Sequence, residues 1–290
     1  MTTSGHQFLS AVLGALLLNG SMAADPAAQN DQTAPDPRAI VEDMSEHLSG
    51  MQTFRVTMLL VTTMEGGGRK RVDESEFVFA VQRPDKVAQV LTRGETGMTL
   101  VCDGQKTYTY VPMLRSYTVR DAPRSLEELA GNLGSAMGDA IPVVKAFVVK
   151  DPAKALLDKV VGLSYAGIED VGGIKCHRVR FEQEESAWDA WIAVGEKKLL
   201  MKAVPDFTKL IARVRKEQGD SAQLDLKYGM TLNLSGWVTG SELPADQFVF
   251  KPPEKTIQVD SFFPRQVGEP TPSQPGGTHS ESDAKEGDSQ

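Results

Sequence analysis

Runs of β-branched and aromatic residues, joined by short turn signals, fill most of this chain in two blocks, and no helix-length segment parts neighbouring runs within a block. Without a crossover helix, neighbouring strands must pair antiparallel. The first block reads Thr53 to Thr63, Glu76 to Gln82, Val87 to Thr92, Met98 to Cys102, Thr107 to Val111 and Ser116 to Val119. Its turns are Glu65-Gly66-Gly67-Gly68, Arg83-Pro84-Asp85 and Asp103-Gly104. The second block reads Leu163 to Asp170, Lys175 to Glu182, Trp188 to Val194, Leu199 to Val204, Lys209 to Lys216 and Gln223 to Leu234. Phe248-Val249-Phe250 forms a further strand ended by Pro252-Pro253, and Ile257 to Phe262 an edge strand.

Helical spacing appears only outside these blocks. Asp36-Pro37 sets an N-cap and first position, and Ile40, Val41, Met44 and Leu48 form one apolar stripe stopped by Gly50. Ser125 and Glu128 make a capping box ahead of Leu126, Leu129, Leu133 and Met137. Pro142 to Val149 is short and very apolar, and Asp151-Pro152 opens another helix through Ala155, Leu156 and Val160. Several strands are apolar on both faces, as in Met58-Leu59-Leu60-Val61 and Phe77-Val78-Phe79-Ala80. A sheet with one wet face alternates, so here the second face is covered by helices or lines a cavity. The fold class is α+β: a large antiparallel sheet, long enough to curl, with helices covering its concave face.

The ends bound this domain. Residues 1–23 read as a signal peptide, with an apolar run from Phe8 to Leu18 too short to span a bilayer and small residues at Ser21 and Ala23. Residues 24–36 are a linker, residues 37–263 the domain, and residues 264–290 an acidic tail too poor in aliphatics to order. The chain is therefore expected to be exported to the periplasm without spanning a membrane, and no Cys near the cleavage point marks it as a lipoprotein. With a net charge of −8 and no basic run longer than Arg69-Lys70-Arg71, it lacks the concentrated positive face that nucleic acid requires. Two cysteines, Cys102 and Cys176, allow either one disulfide or two buried thiols.

No catalytic set is legible. Gly162-Leu163-Ser164-Tyr165-Ala166 lacks the helix that a nucleophile elbow needs. His47 and His177 have no metal-ligand partner at useful spacing. Glu184, Glu185 and Asp189 read as acid–base groups or, equally, as a solvated strand edge. No enzyme, cofactor or metal is expected.

The order of weak motifs carries more. A helix at Pro37 to Ser49 precedes a strand ending in Arg83-Pro84. A strand and Asp103-Gly104 then lead to Tyr108, Tyr110 and Pro112, and Phe248, Phe250, Pro252 and Pro253 stand near the end. This pattern, over most of Asp36 to Phe263, resembles the LolA/LolB-like superfamily of periplasmic proteins, in a poorly characterised domain-of-unknown-function branch. The resemblance implies an unclosed β-barrel around a greasy cavity with helices as a lid, and a carrier of lipid or lipoprotein acyl chains. It implies a lid-latch role for Arg83, whose alternative is a plain turn arginine. The cavity candidates are Met58, Leu60, Phe77, Phe79, Leu91, Tyr108, Tyr110, Trp191 and Met201. The alternative function is a non-enzymatic sensor or scaffold that binds an envelope protein partner.

Overall fold

The computed structural model describes residues 34–130, 143–218 and 227–262. The signal and tail assignments, and the helix beyond residue 130, lie outside them. Helix α1 (Pro37–Gly50) starts where the Asp36 carboxylate accepts from the Arg38 backbone N–H at 2.9 Å, and it buries Val41, Met44 and Leu48. Strands β1 (Thr53–Gly66) and β2 (Arg69–Gln82) form the longest hairpin. Gly67 and Gly68 turn it with φ of 57° and 72°, a conformation that side chains with a Cβ disfavour. Strands β3 (Lys86–Arg93), β4 (Thr99–Asp103), β5 (Lys106–Val111) and β6 (Ser116–Asp121) continue the meander.

The middle is helical. Residues 126–130 begin a helix whose Glu128 N–H donates to Ser125 Oγ at 3.2 Å. The Glu128 carboxylate reaches back to the Arg124 N–H at 3.0 Å, one residue upstream of the usual capping-box partner. Helices α2 (Val143–Val148) and α3 (Pro152–Leu157) follow, the second capped by Asp151. Then come β7 (Val160–Val171), β8 (Ile174–Gln183), β9 (Ala187–Ala193) and β10 (Leu200–Asp206). Helix α4 (Thr208–Gln218), β11 (Lys227–Thr239) and a two-residue β12 (Ile257–Gln258) complete the order.

All strands join one 12-stranded sheet, ordered β12-β6-β5-β4-β3-β2-β1-β11-β10-β9-β8-β7. The two blocks meet where β1 pairs with β11, and every ladder is antiparallel except β12 on β6. The end strands β12 and β7 do not pair with each other, so the barrel is unclosed. One core cluster nonetheless unites Leu100 of β4 with Val179 and Phe181 of β8 and with α1, α2 and α3, so the sheet curls round these helices. The fold is thus the expected α+β half-barrel.

Register assigns the two faces. Directly opposed residues share a face, which gives an inner row of Leu60, Leu232, Ala203, Ala190 and Val179 across the second block. An outer row runs Ala80, Ala88, Val101 and Tyr108. Phe248, Leu243 and Phe250 cover that outer row, which explains why β2 is apolar on both sides.

Two strand assignments are corrected. Lys209 to Lys216 is helical, within α4. Leu210, Ile211 and Val214 recur at i, i+1 and i+4, Ala, Leu, Arg and Lys favour helix, and Asp206 Oδ1 accepts from the Thr208 N–H at 3.0 Å at the helix start. Phe248-Val249-Phe250 is not a strand: residues Ala245–Phe248 form a 3-10 turn that seats the two rings on the outer face. Of the two alternatives for the cysteines, the structure has the pair of buried thiols. Cys102 and Cys176 are both buried free thiols, on β4 and β8 with six strands of the sheet between them. A bridge needs Cα atoms within about 7 Å. Each Sγ instead donates to a carbonyl, of Asp85 and Ile174 respectively, both at 3.4 Å.

Candidate functional site

The inner face of β1 and β2 alternates Phe54, Val56 and Met58 with Phe77, Phe79 and Val81 in register, all nearly fully buried. Helix α2 places Phe147 against them. Its ring lies 5.8 Å from Phe54, 5.7 Å from Phe79 and 5.6 Å from Trp237, the first and last edge-on. Trp237 is fixed by its indole N–H, which donates to the Leu200 carbonyl at 3.1 Å. Burial falls away along β1: Val56 is 0% and Met58 1% exposed, Leu60 is half-buried, and Met64 is 48% exposed. The greasy face therefore emerges from under its helices at the far ends of β1 and β11.

Arg83 ties this cover down. It follows β2 at a cis Arg83–Pro84 bond. Its Nε donates to the Met51 carbonyl at 3.1 Å, Nη1 to Val148 at 3.2 Å and Nη2 to Phe147 at 3.2 Å. The last two carbonyls end α2 and the first follows α1, and such terminal carbonyls have no partner within their own helices. One guanidinium thus joins the ends of α1 and α2 to the β2–β3 corner. Burial pulls its pKa below the usual arginine value, while Glu127 acts the other way. Glu127 itself accepts from the Lys150 N–H at 3.0 Å, a second tie to the chain just past α2.

Of the residues expected to line a cavity, Met58, Phe77, Phe79 and Met201 belong to this core, and Leu60 and Leu91 are half-buried against it. Tyr108 and Tyr110 lie outside it, whereas Trp191, 5% exposed, packs within the same cluster from the charged side of the sheet. Tyr108 opposes Val101 on the outer face and stacks on Phe250 at 5.3 Å, and Tyr110, two residues on, shares its side. Trp191 opposes Arg178 and Lys202, with the two cations 5.0 and 4.4 Å from its ring centre, and donates to Glu169 at 2.7 Å. Trp188, three positions earlier and so on the opposite face, is the inward tryptophan, stacked 3.9 Å from Phe181. Phe54, Phe147, Trp188 and Trp237 were the missed residues. Strict alternation back from Met58 marks Phe54, whereas Phe147 sits in an apolar run that has no readable period.

The outer face of β7 to β10 carries charge. Buried Asp189 accepts from Arg178 Nε and Arg180 Nη1, both at 3.1 Å. Arg180 also donates to Glu182 at 2.6 Å and Asp206 at 2.7 Å, and Arg178 to Glu169 at 2.9 Å. Hydrogen bonds from Thr208 and Arg180 pull the Asp206 carboxyl down to about 2. Asp189 is thus locked between two arginines, and Glu185 is paired with Arg213. Ser164 lies in the middle of β7, His177 Nδ1 meets the Tyr165 hydroxyl at 3.3 Å, and burial lowers the pKa of His47 and His177. Among the described residues no three His, Cys, Asp or Glu side chains cluster as metal ligands, and no helix is long and apolar enough to cross a membrane.

No curated protein matches the chain. Among solved structures, an uncharacterized conserved protein from Thermus thermophilus is 9% identical, with 77% of this chain and 97% of that one covered and a TM-score of 0.41. The Mycobacterium tuberculosis lipoprotein LppX is 13% identical over 71% of this chain and 96% of its own, with a TM-score of 0.37. A LolA superfamily protein from Nitrosomonas europaea is 10% identical over 75% and 99%, with a TM-score of 0.31. The family model for predicted periplasmic proteins, DUF2092, matches residues 38–261, the whole half-barrel, and the chain belongs to that family.

Proposed function

We propose that this protein is a periplasmic binder that shelters lipid or lipoprotein acyl chains against the inner face of its half-barrel, with α1 and α2 as the cover. The observation that carries the reading is Arg83, which holds the cover by the backbone carbonyls of Met51, Phe147 and Val148. A latch of this kind releases as a unit: once the guanidinium swings away, Phe147 leaves with α2 and exposes Phe54, Phe79 and Trp237. In the described form Phe147 occupies the place that an acyl chain takes, so this is the shut form.

The inner face is packed by the chain's own side chains, which is also what a scaffold that binds a protein partner on its rim would have. The two readings separate in one experiment. Protein exported to the periplasm and purified without detergent is analysed by native mass spectrometry, then delipidated and exposed to a fluorescent fatty-acid probe. Lipid adducts and saturable probe binding, competed by unlabelled palmitate, support the carrier. Absence of both, with a co-purified protein retained after delipidation, establishes the scaffold instead.

A further inference from the structure

Strands β10 and β11 are neighbours in the sheet, yet among the described residues they pair only at Lys202 with Asn233 and Ala203 with Leu232. Beyond that point they part. Pro205 has no N–H to offer a ladder. Into the gap opens a cleft of about 520 Å³, lined by Val204, Pro205, Phe207, Ile211 and Tyr228 together with Arg180, Asp189, Asp206, Arg215 and Lys227. Helix α4 stands over it with none of residues 208–217 buried. A cleft of this size suits a small molecule.

Its charges are unequal in availability. Arg180 directs its donors to Asp189, Glu182 and Asp206, while Arg178 also holds Asp189 and Lys209 also holds Glu182, so three cations meet these three carboxylates. Arg215 forms no ion pair among the described residues, and Lys227 has only exposed Glu65 at 3.3 Å. Among the described residues lining the cleft, the charge left outside that network is therefore positive. Behind it Phe207 and Tyr228 meet edge-on at 4.9 Å, forming an apolar wall.

We propose that this cleft binds an anionic amphiphile: a carboxylate or phosphate head held by Arg215 and Lys227, with an apolar body against Phe207, Ile211 and Tyr228. The site is separate from the Arg83-latched face and does not depend on that face binding lipid. An anionic head displaces Glu65 from Lys227 and gains Arg215, and the apolar wall selects against a bare anion.

The test uses the full chain, labelled at isoleucine δ1 methyls, titrated with dodecanoate, dodecyl phosphate, inorganic phosphate, dodecanol and dodecyltrimethylammonium. Ile211 lies in the cleft, whereas Ile40 packs on the latched core. Dodecanoate or dodecyl phosphate is expected to shift the Ile211 methyl with its own affinity, distinct from any shift at Ile40 that binding at the latched face produces, and the stronger of the two identifies the head group. Arg215→Gln and Lys227→Gln, both at exposed positions, are each expected to weaken binding about fivefold, less so at high salt. Binding of dodecanol or the cationic probe as strong as that of the anions would overturn the proposal. So would inorganic phosphate binding as tightly as dodecyl phosphate, shifts at Ile40 alone, or a double variant that binds unchanged.

Discussion

Replacing Arg83 with leucine isolates the latch. The side chain makes three bonds to carbonyls, two of them at the end of α2. A hydrogen bond to a charged group contributes about 1.5–3 kcal/mol when formed. Against this stands desolvation: the guanidinium is partly buried and has no ion-pair partner among the described residues. That cost offsets more than half of the gross gain. The net hold on the cover is then about 2 kcal/mol, a factor of about 30 in its opening equilibrium. In R83L, hydrogen exchange at the α2 amides is expected to quicken by about that factor while the β1 and β2 ladders keep their protection. An acyl probe is expected to associate faster to the same degree. R83K behaves like R83L, because an ammonium cannot span carbonyls that a planar fork bridges. Two results refute the reasoning: unchanged exchange in α2, or loss of protection in β1 and β2 together with α2, which makes Arg83 a corner residue of the sheet and nothing more.

Trp188 and Trp191 are both nearly fully buried, so W188A and W191A are each expected to cost about 3–5 kcal/mol in urea unfolding as truncations of a large ring. Both thiols should resist a maleimide in the native protein and both react once it is denatured without reductant; burial pushes Cys176 up to about 11, so it stays protonated and inert at neutral pH. The Asp206 carboxyl titrates near 2 when folded and higher when unfolded, so its contribution to stability is full above about pH 4 and is lost as pH falls toward 2. D206N should therefore flatten that limb of the acid-unfolding curve, read by urea titration at several pH values. F250A uncovers Tyr108 and Tyr117, whose ring centres lie 5.3 and 5.5 Å away, and is expected to cost about 2–3 kcal/mol without changing probe association at the latched face.

Period-2 patterning and glycine turns made the hairpins readable, because both are local. Facing was not local. Tyr108 and Tyr110 look like lining residues in isolation, but their side is fixed by Val101, and that of Val101 by Ala88 on the next strand. The outer row is apolar only because Phe248 and Phe250 return from more than a hundred residues away to cover it. Helix α4 defeats a reading from pattern for a related reason: none of residues 208–217 is buried, so no stripe of core residues marks its period. The Arg-Pro motif marks the position of Arg83, whereas its three acceptors depend on where α2 ends, which an apolar run from Pro142 to Val149 does not disclose.

Whether a packed inner face can also receive cargo is a question of magnitude. Opening the cover loses the latch, about 2 kcal/mol, and exposes Phe147 and the rings it covers, about 2–3 kcal/mol for each large side chain brought into water. Withdrawal of Phe147 from Phe54, Phe79 and Trp237 therefore sets a total near 10 kcal/mol. An acyl chain of about fifteen methylenes leaving water for an apolar surface gains about 12 kcal/mol. The exposed rings are covered again by that same chain, so most of their cost returns on loading. The cost left on loading is then the latch and Phe147, about 5 kcal/mol, which a chain of about fifteen methylenes exceeds by a wide margin and a chain of about eight carbons barely meets. Chain length is then the sharpest discriminator. Palmitate should compete with the fatty-acid probe at the latched face, octanoate should not, and R83L should shift the shortest competent chain downward by two or three methylenes, the length that about 2 kcal/mol represents. Equal competition by octanoate and palmitate would mean that binding does not pass through the opening of α2.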